Sequence, residues 1–350
     1  MAHVGVVGSP GGGHRLIGNG RVVGAGNRFL EHLAVRGFSP ATVRAYAFDL
    51  ANFAAFLADR SLGLSDVAPT DLFDYLDWQR SGRTASGEKV VRLCRRGPAP
   101  ATMNRRIAAV RGLFEHLVMS GERGDNPVPA ARRASGLRGR RKGLLGHVAV
   151  RSRSGGRLVR EPNRLPESLA ADDVAAFIAD LDTHRDRAMV LAMVLGGLRA
   201  AEVRSLRLAD VDMGLRRVRV VGKGGKERLV PVDDVFFIEC AAYVRSERPG
   251  GCRTPECFVV LRGPTRGRAM TEAGLRKVFR THRARSGATR VRPHRLRHTY
   301  GTELAGAGID LLALRELMGH ASPETTARYV HLSSDTLAAE FAAARAAAGR

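Results

Sequence analysis

A mainly α fold with one small antiparallel β-sheet, spread over two domains, is what the sequence predicts. Apolar residues recur at three- and four-residue steps through both halves, a strand–turn–strand pattern interrupts the second half, and a basic, weakly periodic segment separates the two. The length of 350 residues suits two domains, each able to bury its own core.

Residues 1–26 hold nine glycines, Arg15, Arg21 and no acid. Ordering the run Gly11-Gly12-Gly13 costs backbone entropy, so this stretch is expected to be a flexible Gly-rich arm. From Asn27 the texture changes: Phe29, Leu30 and Leu33, then Tyr46, Leu50, Phe53, Phe56 and Leu57, fall at helical spacing. Ser39 followed by Pro40 supplies an N-cap and a residue suited to a first turn. Residues 70–78 repeat the pattern, and Met103, Ile107, Val110, Leu113, Phe114 and Leu117 form one stripe over 101–118. Residues 27–127 are thus expected to be a helical domain of four or five helices.

Residues 130–164 carry eleven basic side chains against the single acid Glu161, so 128–164 reads as a basic linker. The second domain, 165–350, opens with a helix over 168–181. Strands follow at 217–221 and 228–232 around a Gly-Lys-Gly-Gly-Lys-Glu turn, then helices at 271–285, at 294–318 and from 336 to the end.

The composition narrows the function. A net charge of +23 points to a polyanionic partner. The longest apolar run, 188–198, has 11 residues where a membrane span needs about 20, so no membrane association is expected. The start lacks the apolar core of a signal peptide. The cysteines at 94, 240, 252 and 257 match no metal or disulfide spacing, so a cytoplasmic protein with reduced thiols is expected.

Polar residues interrupt apolar helices where solubility does not require them. Gly196-Gly197-Leu198-Arg199 puts an arginine at the edge of a core, and His294-Arg295-Leu296-Arg297-His298 places more candidates on one turn. Two such arginines suit a phosphate clamp, because guanidinium presents planar paired donors and stays charged. His320 precedes Tyr329 by nine residues, and a histidine near a tyrosine hydroxyl suits nucleophilic catalysis. Lys223 and Lys226 share one turn in a chain with five lysines and 52 arginines. An ammonium, which can give up a proton, serves as a general acid better than guanidinium does.

Arg199, Lys223, His294 with Arg297, His320 and Tyr329 resemble, in order and spacing, the residue set of the tyrosine recombinase and phage integrase family, particularly its Xer-like and transposon-borne members. The resemblance covers residues 27–127 and 165–345; Gly196 stands where threonine is commoner, and Met318 where leucine is. It implies a helical, SAM-like core-binding domain followed by a mixed α/β tyrosine-recombinase catalytic domain with a C-terminal docking helix. The implied function is that of a site-specific DNA recombinase or integrase working through a 3′-phosphotyrosyl intermediate. Tyr329 would attack, Arg199 and Arg297 would hold the phosphate, Lys223 (rather than Lys226) would protonate the leaving oxygen, and His294 and His320 would assist. Glu202 would orient Arg199, while His298 would be structural and Tyr300 a core residue. A type IB topoisomerase-like strand transferase and a catalytically idle DNA-binding regulator of the same fold are the alternatives.

No cofactor and no metal are expected, since the sequence has neither a phosphate-cradling Gly-x-x-x-x-Gly-Lys loop nor a carboxylate cluster. The expected partner is double-stranded DNA carrying short inverted repeats, held in a homo- or hetero-tetrameric synaptic complex near the nucleoid. Asn104, Arg105, Arg106 and Arg111 on the 101–118 helix are the expected DNA-contacting residues of the first domain. Residues 1–26 are expected to be too short for an arm-binding domain.

Overall fold

A computed structural model of the chain describes residues 4–8, 13–81, 97–129, 158–160, 168–222, 225–320, 326, 342, 345 and 346. The chain divides into two compact units, Met1–Asn163 and Arg164–Arg350.

In the first unit a hairpin of β1 (Gly5–Gly8) and β2 (His14–Ile17) precedes four helices: α1 (Arg21–Val35), α2 (Pro40–Asp59), α3 (Pro69–Ser81) and α4 (Pro100–Met119). Proline stands first in α2, α3 and α4, where its missing N–H costs nothing. The Ser39 hydroxyl accepts from the Thr42 N–H at 3.2 Å and caps α2. Apolar stripes on α2, α3 and α4 converge on Phe53, Phe56, Tyr75, Trp78 and Phe114, whose rings contact one another in stacked and edge-on pairs. The two polar tips in this cluster are satisfied: Tyr75 donates to Asn52 and Trp78 to Asp59.

The expectation of a flexible arm over 1–26 is corrected for residues 4–8 and 13–26; residues 1–3 and 9–12 lie outside the described residues. The two short strands pair antiparallel, with Val6 opposite Leu16. Leu16 is only 2 % exposed and belongs to the same core as the helices. Asn27 locks it by accepting from the Leu16 N–H at 2.7 Å and donating to the Leu16 carbonyl at 3.0 Å. A β-carbon at Gly26 would lie 2.6 Å from the Leu16 side chain. Glycine that reads as a flexibility signal is here the condition for close packing.

The described parts of the expected linker, 128–129 and 158–160, also belong to this unit. Val128 is buried, Leu158 and Val159 pack on the core, and Asn104 exchanges hydrogen bonds of 2.9 and 3.1 Å with the Val159 backbone. Residues 130–157 and 161–167 lie outside the described residues.

The second unit is built on α6 (His184–Val194), every residue of which from Ala188 to Val194 is buried. Around it stand α5 (Ala171–Ala179), α7 (Ala200–Ser205), α8 (Asp234–Ser246), α9 (Glu272–Ser286), α10 (Pro293–Gly306) and α11 (Leu311–Met318). A three-stranded antiparallel sheet runs in the order β3 (Val211–Asp212), β4 (Arg217–Val221), β5 (Glu227–Pro231), with Val218 opposite Val230 on the buried face. The expected helix over 294–318 is two helices. Gly308 turns the chain at φ 82°, Ile309 donates to the Leu304 carbonyl, and Asp310 caps α11. Helix α8, capped by Asp233, goes beyond the sequence expectation. Of the expected tail helix, only positions 342, 345 and 346 lie among the described residues.

Candidate active site

The site begins where α6 stops. Gly197 adopts φ 61°, a left-handed conformation, and the Tyr300 ring of α10 sits where a β-carbon on Gly197 would be, 2.4 Å from Cδ1. Tyr300 is buried with Leu314 and Met318 of α11, so α10 and α11 share one small apolar cluster, and the Gly197 turn after α6 packs against its Tyr300 ring. This packing brings Arg297 of α10 to the Gly197 and Met318 carbonyls, to both of which its guanidinium donates.

Arg199 is the N-cap of α7 and Glu202 its third residue. Glu202 accepts from the Arg199 N–H at 2.8 Å and from Arg199 Nη1 at 2.7 Å, while Arg199 Nη2 donates to the Gly319 carbonyl at 2.9 Å. Arg228 of β5 completes the group. Its Nη1 and Nη2 reach the two Glu202 oxygens at 3.0 and 2.8 Å, and its Nε reaches the Leu317 carbonyl at 3.0 Å. Arg297 Nη1 stands 3.9 Å from Glu202 Oε2.

One carboxylate therefore gathers three guanidiniums. Burial alone would raise the Glu202 pKa, but bonds from Arg228 and Arg199 outweigh it and hold the group at about 2. The side chains of Glu202, Arg228 and Arg297 are 5, 9 and 8 % exposed, against 39 % for Arg199. Arg199 is the cation of this group most open to a ligand.

His320 follows directly after Gly319, the left-handed residue that ends α11. Its Nδ1 lies 2.9 Å from the Thr326 hydroxyl. Burial, then the positive field of Arg297 and Arg199 with contributions from His298 and Arg228, pushes its pKa down to about 4. The imidazole is neutral at physiological pH, so it can offer one donor and one acceptor nitrogen.

His294 occupies the exposed first turn of α10, its ring edge-on to His298 with centroids 6.3 Å apart. Partial desolvation and the neighbouring charges of Arg292 and Arg295 lower its pKa. The structure thus brings Arg199, Glu202, Arg297 and His320 together, with His298 near enough to act on His320 and His294 in contact with His298 on α10. Lys223 and Tyr329 lie outside the described residues. The hairpin turn bearing Lys223 is closed by a Gly222 N–H to Lys226 carbonyl bond of 2.7 Å.

Sequence reasoning missed Arg228. Strand β5 alternates, and Arg228 shares the inward face with buried Val230; a charged residue at a core-facing position was the available signal.

The four side chains expected to reach for DNA from α4 have partners inside their own unit. Asn104 holds Val159, Arg111 donates to the Pro129 carbonyl at 3.0 Å and Arg106 to Gln79 at 3.0 Å. Arg105 pairs with Asp49 at 2.5 Å. Asp49 explains that pairing: burial raises its pKa to about 6, and Arg105 and Arg106 pull against that rise. Each of the four side chains expected to contact DNA thus also has an internal task.

Comparison with known proteins gives the same two-part division. Residues 167–335 match the phage integrase family, and residues 27–121 match the phage integrase N-terminal SAM-like domain. The tyrosine recombinase XerC of Rhodospirillum centenum is 32 % identical over 335 residues, covering 92 % of this chain and 86 % of that protein. XerC of Myxococcus xanthus is 31 % identical over 320 residues, covering 89 % of this chain and 93 % of its own. Among solved structures, the Tn1549 transposon integrase in complex with circular-intermediate DNA shares the fold, with a TM-score of 0.64 at 16 % identity over 91 % of this chain and 98 % of that one. The topoisomerase-like and idle-regulator alternatives are not favoured, because the relatives are named as recombinases. No helix among the described residues is long and apolar enough to cross a membrane. The chain belongs to the phage integrase family of tyrosine recombinases.

Proposed function

We propose that the group around Glu202 is the phosphate-binding half of the site with which this recombinase cleaves and rejoins DNA. The gathering of Arg199, Arg228 and Arg297 on one buried carboxylate, beside a neutral His320, carries the reading. A guanidinium has five N–H donors. The guanidiniums of Arg199 and Arg297 would take the non-bridging oxygens of a DNA phosphodiester, stabilising the charge that grows in the pentacoordinate transition state.

The Tyr329 oxygen would form a bond to phosphorus as the 5′ oxygen leaves, giving a 3′-phosphotyrosyl link and a free 5′ hydroxyl. Lys223 would supply the proton to that 5′ oxygen. Neutral His320 and His294 would hydrogen-bond the phosphate and relay the tyrosine proton. One phosphodiester replaces another, so the reaction is close to thermoneutral and runs backward to rejoin strands. With two arginines placed for the transition-state charge, these residues need neither ATP nor a metal ion.

The DNA partner would be a duplex with short inverted repeats, synapsed by four protomers of one or two kinds in the cytoplasm. The basic side chains of 128–164 would add affinity without sequence choice. Arg105, about half exposed while paired to Asp49, keeps donors that a backbone phosphate could share. The deciding experiment is a nicked half-site duplex that traps the covalent adduct. Wild-type protein should become attached to DNA in the presence of EDTA, and Tyr329→Phe should bind the duplex without attachment. Attachment by that variant, or an absolute need for magnesium, would overturn the reading.

A further inference from the structure

We infer that Arg228, which lies outside the set matched to the family, is a positioning residue for strand cleavage: it fixes the end of α11, and with it His320, against the carboxylate that holds Arg199. The inference rests on the function proposed above.

The last carbonyls of a helix have no intrahelical partner, and cations stabilise that end of its dipole. In α11 the consecutive carbonyls of Leu317, Met318 and Gly319 accept from Arg228, Arg297 and Arg199 respectively. Arg199 and Arg297 are the two cations assigned to the phosphate. Arg228 differs from both in its geometry. It closes a two-point pair on Glu202 with Nη1 and Nη2, and turns Nε to the Leu317 carbonyl.

Its side chain therefore spans the two fixed points of the site. One is the carboxylate that grips the Arg199 main chain and guanidinium; the other is the helix end that leads in three residues to His320. Arg228 is as buried as Arg297, and all three of its side-chain nitrogens bond to Glu202 or the Leu317 carbonyl, so its role follows from these bonds and not from a phosphate contact. A lysine could not reproduce this, since an ammonium lacks the planar fork that serves a carboxylate and a carbonyl at once.

Arg228→Lys and Arg228→Gln should keep the wild-type circular dichroism spectrum and bind a half-site with wild-type Kd. Their single-turnover cleavage of the nicked duplex should slow by roughly 100-fold, the scale of a 1 Å misplacement of reacting groups. A role confined to stability would instead lower the thermal midpoint and leave the cleavage rate of folded, DNA-bound protein unchanged. Wild-type cleavage rates in either variant overturn the inference and leave the proposed function standing. Loss of folding or of half-site binding in both variants also overturns it, and returns Arg228 to a structural role. If wild-type protein itself forms no adduct, the proposed function falls, and the inference with it.

Discussion

Gly197 and Tyr300 interlock: the ring of Tyr300 occupies the space that any side chain at 197 would need, and Gly197 itself holds φ 61°. Replacing Gly197 with alanine meets two penalties, a strained left-handed backbone and an overpacked contact, the second alone worth about 1–3 kcal/mol. Gly197→Ala should lower unfolding stability by at least that much and slow cleavage, because the Gly197 carbonyl is a partner of Arg297. Urea titration of both proteins checks it; equal midpoints would show that the two helices do not meet this way.

Glu202 makes the acid side of the stability profile specific. Its carboxyl sits at about 2 in the folded chain against an ordinary 4.5. A group depressed in this way stabilises the fold above its unfolded pKa, and that contribution is lost as pH falls through the folded value. The window runs from 4.5 down to about 2. Between about pH 6 and about pH 3, unfolding free energy should fall by about 2 kcal/mol less in Glu202→Gln than in the wild type. Identical losses in the two proteins would mean that the arginines do not hold this carboxylate.

For His320 the sign is reversed in chemistry but not in outcome. Its pKa is pushed down from 6.5 to about 4, so the folded protein refuses a proton that the unfolded chain accepts, and stability declines as pH falls across that interval. In protein with labelled histidine, the resonance assigned through His320→Gln should stay at its neutral position down to about pH 5. Arg297→Met should raise the midpoint. A transition near 6.5 in the wild type would contradict the buried, positively surrounded ring.

Leu16 tests the ordering of the first residues. Truncating a fully buried leucine costs about 2–5 kcal/mol, whereas a side chain in a mobile arm changes stability by no more than about 0.5 kcal/mol. Leu16→Ala should fall in the larger range. Asn27→Ala, which removes both bonds to the Leu16 backbone, should shift stability in the same direction by about 1–3 kcal/mol. Guanidinium denaturation of the two variants distinguishes these ranges.

Periodicity carries the helices well. The stripes ending at Leu57 and Leu117, the Ser39-Pro40 start and the β4–β5 hairpin are all readable because their signals are local. What sequence reading loses depends on contacts made far along the chain. Glycine near residues 11–26 suggests freedom until Leu16 is seen against Gly26. The break in 294–318 rests on one glycine turn, and α8 on an aspartate cap, each easily passed over within a mainly helical stretch. In the site, the residue types and their order are legible through the resemblance. The use of Arg228, and the internal partners of Arg105 and Arg106, are not, because Glu202 and Asp49 lie 26 and 56 residues from the arginines they engage.

The row of three carbonyls at the end of α11 also bears on when in folding this site is assembled. Their donors come from 120, 89 and 21 residues away, so closing the row requires three separate stretches to have arrived. Long-range closures of this kind are made late, after local helices have formed. In a partly folded chain these arginines are still apart, although each of the helices nearby can already have formed. The three arginines reach their native arrangement only after residues as far along as Gly319 have been made and folded onto the rest of the unit.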